Sequence, residues 1–129
     1  MIRPSTLLPS QREPLTITTS DGLRLIGEIA SPLGAVAANL LMLHPLPTHG
    51  GMMDSHLYKK AANRLPAMAG IRIIRFNTRG TESEAGKSEG QFDNGEAERW
   101  DVEAAIKEVV KRFPHEPLWV IGWSFGTDL

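Results

Sequence analysis

Three short apolar runs, separated from one another by stretches of helical periodicity, constrain this chain more than any other feature. Residues 37–43 are apolar apart from Asn39, residues 71–77 alternate little around Arg72 and Arg75, and residues 118–121 read Leu-Trp-Val-Ile. Runs this short, without strict alternation, mark strands covered on both faces. After the first run comes a Pro/Gly-rich loop over 44–51. A helix is then predicted from about Ser55 to Leu65, with Ser55 or Asp54 as N-cap and Pro66 kinking or ending it. After the second run, residues 78–96 are rich in Gly, Ser and Glu and read as a long loop. From Asp101 onward, Val102, Ala105, Ile106, Val109, Val110 and Phe113 form the stripe of an amphipathic helix, stopped by Pro114 and Pro117. Strands alternating with helices need crossovers, which predicts a parallel sheet with helices on both faces.

The N-terminal part follows a different rhythm. Residues 1–14 hold three prolines and read as an irregular lead-in. Leu15 to Thr19 alternates with period two, Ser20-Asp21-Gly22 makes a turn, and Leu23, Leu25 and Ile29 continue an antiparallel hairpin. The predicted order is β-β-β-α-β-α-β in one α/β domain over 1–129, since 129 residues leave little room for two domains.

Composition narrows the chemistry. The net charge is −1, so neither nucleic acid nor an anionic membrane has an electrostatic reason to bind. There is no cysteine, which removes disulfides, thiolate-held metals and a thiol nucleophile. No apolar stretch is long enough for a transmembrane helix or a secretory signal, and a cytoplasmic protein is expected. Six basic residues and no acid occupy 59–79, while eight acids and two bases occupy 82–103. These runs read as two solvated surfaces. His44, His49 and His56 do not have the clustering of a metal site, and no metal is expected. His44 and His49 read as loop-orienting or substrate-facing residues and His115 as a surface residue. Gly86-Lys87-Ser88 lacks the glycine spacing of a phosphate loop. Trp100 and Trp119 read as core or pocket wall, and Trp123 as a candidate pocket residue.

The last apolar run leads directly into Gly122-Trp123-Ser124-Phe125-Gly126. In a G-x-S-x-G nucleophile elbow, the serine sits on a tight strand-to-helix turn that lifts its hydroxyl clear of the sheet. Glycines flank it because larger side chains would strike neighbouring backbone. Acyl transfer also needs an oxyanion hole, for which the N–H of Phe125 is one donor. The other would come from the 44–51 loop. Pro45 and Pro47 have no N–H to give, so Leu46 is the best-placed donor and Thr48 the second choice.

With these motifs in place, the chain resembles the α/β-hydrolase superfamily, and most nearly the bacterial serine hydrolases related to dienelactone hydrolase. Their pattern appears as His44-Pro45-Leu46-Pro47 with Gly50-Gly51, Phe76-Asn77-Thr78-Arg79-Gly80, Ser88-Glu89-Gly90-Gln91-Phe92-Asp93, and the Ser124 motif. The resemblance covers roughly residues 15–129. It implies Ser124 as nucleophile, Leu46 and Phe125 as oxyanion donors, a small-molecule acyl substrate (ester, thioester or amide) and no cofactor. In that fold the triad acid and histidine follow the serine, yet no histidine follows Ser124. The chain is therefore expected to be the N-terminal half of such a hydrolase, truncated just after the elbow and inactive alone. The alternative is a non-catalytic module of the same fold. The apolar strand at 118–121 is expected to leave an unpaired edge, making the isolated chain poorly folded or self-associating. The oligomeric state of the complete protein stays open.

Overall fold

The computed structural model describes residues 8–44, 47, 50–122, 126 and 129. Strands β1 (Gln11–Thr18), β2 (Arg24–Ser31) and β3 (Ala38–Leu43) precede helix α1 (His56–Ala69) and strand β4 (Ile71–Phe76). A two-residue hairpin, β5 (Glu82–Ser83) and β6 (Gly86–Lys87), interrupts the following loop. Helix α2 (Glu98–Arg112) and strand β7 (Leu118–Gly122) complete the order.

The main sheet runs β1-β2-β4-β3-β7. β1 and β2 form the expected antiparallel hairpin, and β2 is antiparallel to β4. β3 is parallel to both β4 and β7. From β3 the chain moves through α1 to β4 on one side, then through α2 back past β3 to β7 on the other. The ends of β3 and β7 therefore meet at one edge, where Leu43 lies opposite Gly122.

Side chains of each strand divide between two cores because successive residues point to opposite faces. Ala30, Met42 and Ile73 pack with Tyr58 and Ala62 of α1. Ile29, Leu41, Leu43, Ile74 and Phe76 pack with Ala105 and Val109 of α2, and Leu15 and Ile17 join them. The result is the expected three-layer arrangement, with a mostly parallel sheet between helices.

Five local expectations are corrected. β1 begins at Gln11, within the supposed lead-in. Pro14 is tolerated there because β1 is an edge strand, where a missing N–H breaks no ladder. Pro66 does not end α1, which continues to Ala69. The proline leaves the Ala62 carbonyl without its helical donor, and Arg12 Nη1 approaches that oxygen at 3.5 Å. β7 is not buried on both faces, for it lies at the sheet edge with Trp119 68%, Val120 46% and Ile121 44% exposed. Trp119 is thus neither core nor pocket wall. Val110, placed on the α2 stripe from sequence, is also exposed.

Among the described residues, no helix is long and apolar enough to cross a membrane. The β7 edge carries no charge or proline between Leu118 and Gly122, the devices that usually keep edges from pairing. In isolation the 129-residue chain is expected to self-associate with rising concentration, and Val120→Lys to shift it toward monomer in sedimentation equilibrium. Association unaffected by that substitution would place the contact elsewhere.

Candidate active site

The carboxyl ends of β3, β4 and β7 lie together, the position at which open α/β sheets bind ligands. The segment after β4 holds this edge in shape, one residue at a time. Phe76 fills the α2-side core. Asn77, fully buried, accepts from the Met53 N–H at 2.9 Å and donates to Ser83 Oγ at 2.9 Å. It thereby ties the segment before α1 to the β5–β6 hairpin. A groove of about 580 Å³ opens between those two walls, lined by Met52, Asp54, Lys59, Glu82, Ser83 and Glu84.

Thr78 comes next. Its N–H donates to His44 Nε2 at 3.1 Å, and its hydroxyl lies 3.2 Å from the same nitrogen. A backbone N–H can only donate, so His44 accepts at Nε2, and its neutral ring carries the proton on Nδ1. His44 is buried. Of the two roles expected for it, loop-orienting fits, because it pins the end of β3 to the loop after β4.

Arg79 is the centre of the arrangement. Its backbone N–H donates to Asp101 Oδ2 at 2.8 Å, and its Nη2 to Asp101 Oδ1 at 2.7 Å. Its Nη1 donates to Asp21 Oδ2 at 2.9 Å. One guanidinium thus joins the β1–β2 turn, the loop after β4 and the first turn of α2. Asp21 is itself fixed by the Thr19 hydroxyl, which donates to it. Burial alone would lower the Arg79 pKa, but the Asp101 and Asp21 carboxylates raise it above its ordinary value. Burial pushes Asp101 up, with the bonds from Arg79 pulling it back. Asp21 is held below the usual carboxylate range by its hydrogen bonds from Arg79 and then Thr19.

Gly80 turns the chain with φ +73°, and a Cβ there would sit 2.8 Å from the Phe92 nitrogen. Ser88, which the glycine spacing already set apart from a phosphate loop, is fully buried. Its hydroxyl donates to the Asn77 carbonyl at 2.7 Å and accepts from the Ile26 N–H at 2.9 Å. These contacts extend the sheet past the end of β4.

The two charge runs are not simply solvated surfaces. Arg75 and Arg79 of the basic run are buried, as are Glu98 and Asp101 of the acidic run. The runs face each other through Arg79 and Asp101. Arg75 meets Glu28 at 2.6 Å and Asp54 at 2.8 Å across the α1-side face. Arg72 meets Asn39 at 2.8 Å and stacks 3.5 Å above the Phe113 ring.

The residues singled out for chemistry are distributed unevenly over what is described. Leu46, Thr48, Ser124 and Phe125, together with His49 and Trp123, lie outside the described residues. Both glycines of the G-x-S-x-G motif are described. Gly122 pairs with Leu43 in the β3–β7 ladder. Gly126 is buried against the same residue, so closely that a Cβ on it would collide with the Leu43 carbonyl. Tyr58, from the first turn of α1, donates its hydroxyl to that carbonyl at 2.7 Å. His56 and His115 are exposed, and no cluster of metal-ligating side chains occurs among the described residues.

No family model matches the sequence. An uncharacterized protein of Rickettsia prowazekii is 33% identical over 105 residues, covering 81% of this chain and 42% of that protein. An α/β serine hydrolase without a lid from Xanthomonas campestris superposes with TM-score 0.77 at 32% identity, covering 93% of this chain and 54% of that one. An α/β serine hydrolase homologue from Coxiella burnetii gives TM-score 0.72 at 32% identity, covering 88% and 52%. The chain thus spans about half the length of the solved structures it matches. Its architecture is that of the N-terminal half of the α/β-hydrolase fold.

Removing Asp101 leaves a buried cation partly uncompensated, so Asp101→Asn is expected to cost about 3–5 kcal/mol in urea denaturation. Asp21 is 41% exposed. Asp21→Asn should therefore cost no more than about 1 kcal/mol. Because Asp21 is lowered on folding, its contribution is complete above about pH 4 and is lost as pH falls through its native value. The acid limb of stability should flatten in Asp21→Asn; equal costs for the two variants would contradict this division of roles between Asp101 and Asp21 around Arg79.

Proposed function

We propose that this chain supplies the nucleophile and oxyanion pocket of a serine hydrolase acting on a carboxylic ester, thioester or amide. The supporting observation is the meeting of Gly122 and Gly126 at Leu43, on the carboxyl edge of the parallel strands. A glycine forced by backbone contact at the second position is what an elbow at Ser124 requires. The serine hydrolases of similar structure lend the same reading weight.

In this proposal Ser124 Oγ attacks the substrate carbonyl carbon while a general base takes its proton. The N–H groups of Leu46 and Phe125 hold the oxyanion of the tetrahedral intermediate. Collapse expels the alcohol, thiol or amine and leaves an acyl group on Ser124, which water then removes. His44 is an unsuitable base, since its Nε2 is committed to Thr78 and its ring is buried.

In the full-length protein, a fluorophosphonate probe is expected to label Ser124 alone. Labelling that survives Ser124→Ala, or that settles on another residue, overturns the assignment. Leu46→Pro removes one donor and is expected to cost roughly 10²–10³ in turnover. Unchanged turnover with an intact fold would move that role to Thr48.

A further inference from the structure

We infer that Tyr58 is a positioning residue for the proposed acyl-transfer site, an inference whose catalytic consequence rests on the function proposed above. Tyr58 is fully buried in the first turn of α1, and burial pushes its hydroxyl up to about 12. It therefore acts as a neutral donor through the physiological range, and it donates to the Leu43 carbonyl at 2.7 Å. That carbonyl belongs to the last residue of β3. It is also the group against which the Gly126 backbone is packed.

The two segments proposed to carry the chemistry adjoin this peptide, one in sequence and the other through Gly126. Ser124 lies two residues before Gly126, and Leu46 lies three residues after Leu43. A rotation of the Leu43–His44 peptide would move the footing of Gly126 and the start of the oxyanion loop together. The Tyr58 hydroxyl opposes that rotation from the α1 side, and the His44–Thr78 bond opposes it from the β4 side. The phenol touches no reacting atom in this scheme. It holds the Leu43 carbonyl against which Gly126 packs, and misplacement on the scale of 1 Å in a catalytic constellation is enough to cost about 10²-fold in rate.

Tyr58→Phe deletes only the hydroxyl and keeps the ring in the α1-side core. In the full-length protein, kcat is expected to fall about 10- to 100-fold with KM unchanged, since the loss falls on the transition state. Gly126→Ala should lower kcat as well, and the two changes combined should cost less than their product because they disturb one contact. Independently of turnover, native-state hydrogen exchange at the Gly126 amide should accelerate in Tyr58→Phe, with β1 and β2 unaffected. A lower melting temperature with kcat, KM and Gly126 exchange unchanged would mean a purely structural tyrosine and overturn the inference. Turnover that survives Ser124→Ala would instead overturn the acyl-transfer reading; the Tyr58 contact is read separately by Gly126 exchange.

Discussion

The bond set of Arg79 is the interaction on which the rest of this structure depends. A parallel sheet places the ends of its strands at one edge but does not shape the loops that leave them. Here one guanidinium and its own backbone N–H join three elements distant in sequence: the turn at Asp21, the loop after β4 and α2 at Asp101. Burying such a charge is costly, and it is tolerated because two carboxylates face it in fixed geometry. The neighbouring residues extend the same support. Asn77 holds the segment before α1, Thr78 holds His44, and Gly80 lets the chain turn back along Phe92.

Keeping the shape of that edge matters because the proposed chemistry is spread over separate segments. The loop proposed to supply an oxyanion donor follows β3 in sequence, and the G-x-S-x-G motif begins at the end of β7. Contacts at Leu43 bring the described parts of the two together. In that proposal the motif Phe76-Asn77-Thr78-Arg79-Gly80 supplies no reacting group but sets the platform beside which such groups would act.

Much of this was legible in the sequence, and the exceptions have physical reasons. Periodicity exposed β2, β3, β4 and both helices because burial of one face or two leaves a spacing that survives without structure. The position of β7 at the edge was not legible, since strand order is a tertiary property and an apolar run reads alike at the centre or the rim. Pro14 looked like a breaker only because edge membership was unknown. The buried Glu98 and Asp101 were missed, although Glu98, Asp101, Ala105 and Val109 keep the three-and-four spacing of one helix face. Carboxylates on an apolar stripe, with an arginine waiting after the preceding strand, were the available signal. Of the candidate site, sequence named Ser124, Leu46 and Phe125, which lie outside the described residues. It gave His44 no single role and did not single out Tyr58, whose importance comes from a contact with Leu43 across the fold.

The central claim is that the edge organised by Arg79 presents Ser124 as a nucleophile. The most direct measurement is to quench the full-length protein during turnover of a slowly deacylating p-nitrophenyl ester and locate the acyl adduct by peptide mass spectrometry. The account predicts one adduct, on Ser124, that disappears as deacylation completes. An adduct on any other residue, or steady ester hydrolysis with none on Ser124, would contradict it.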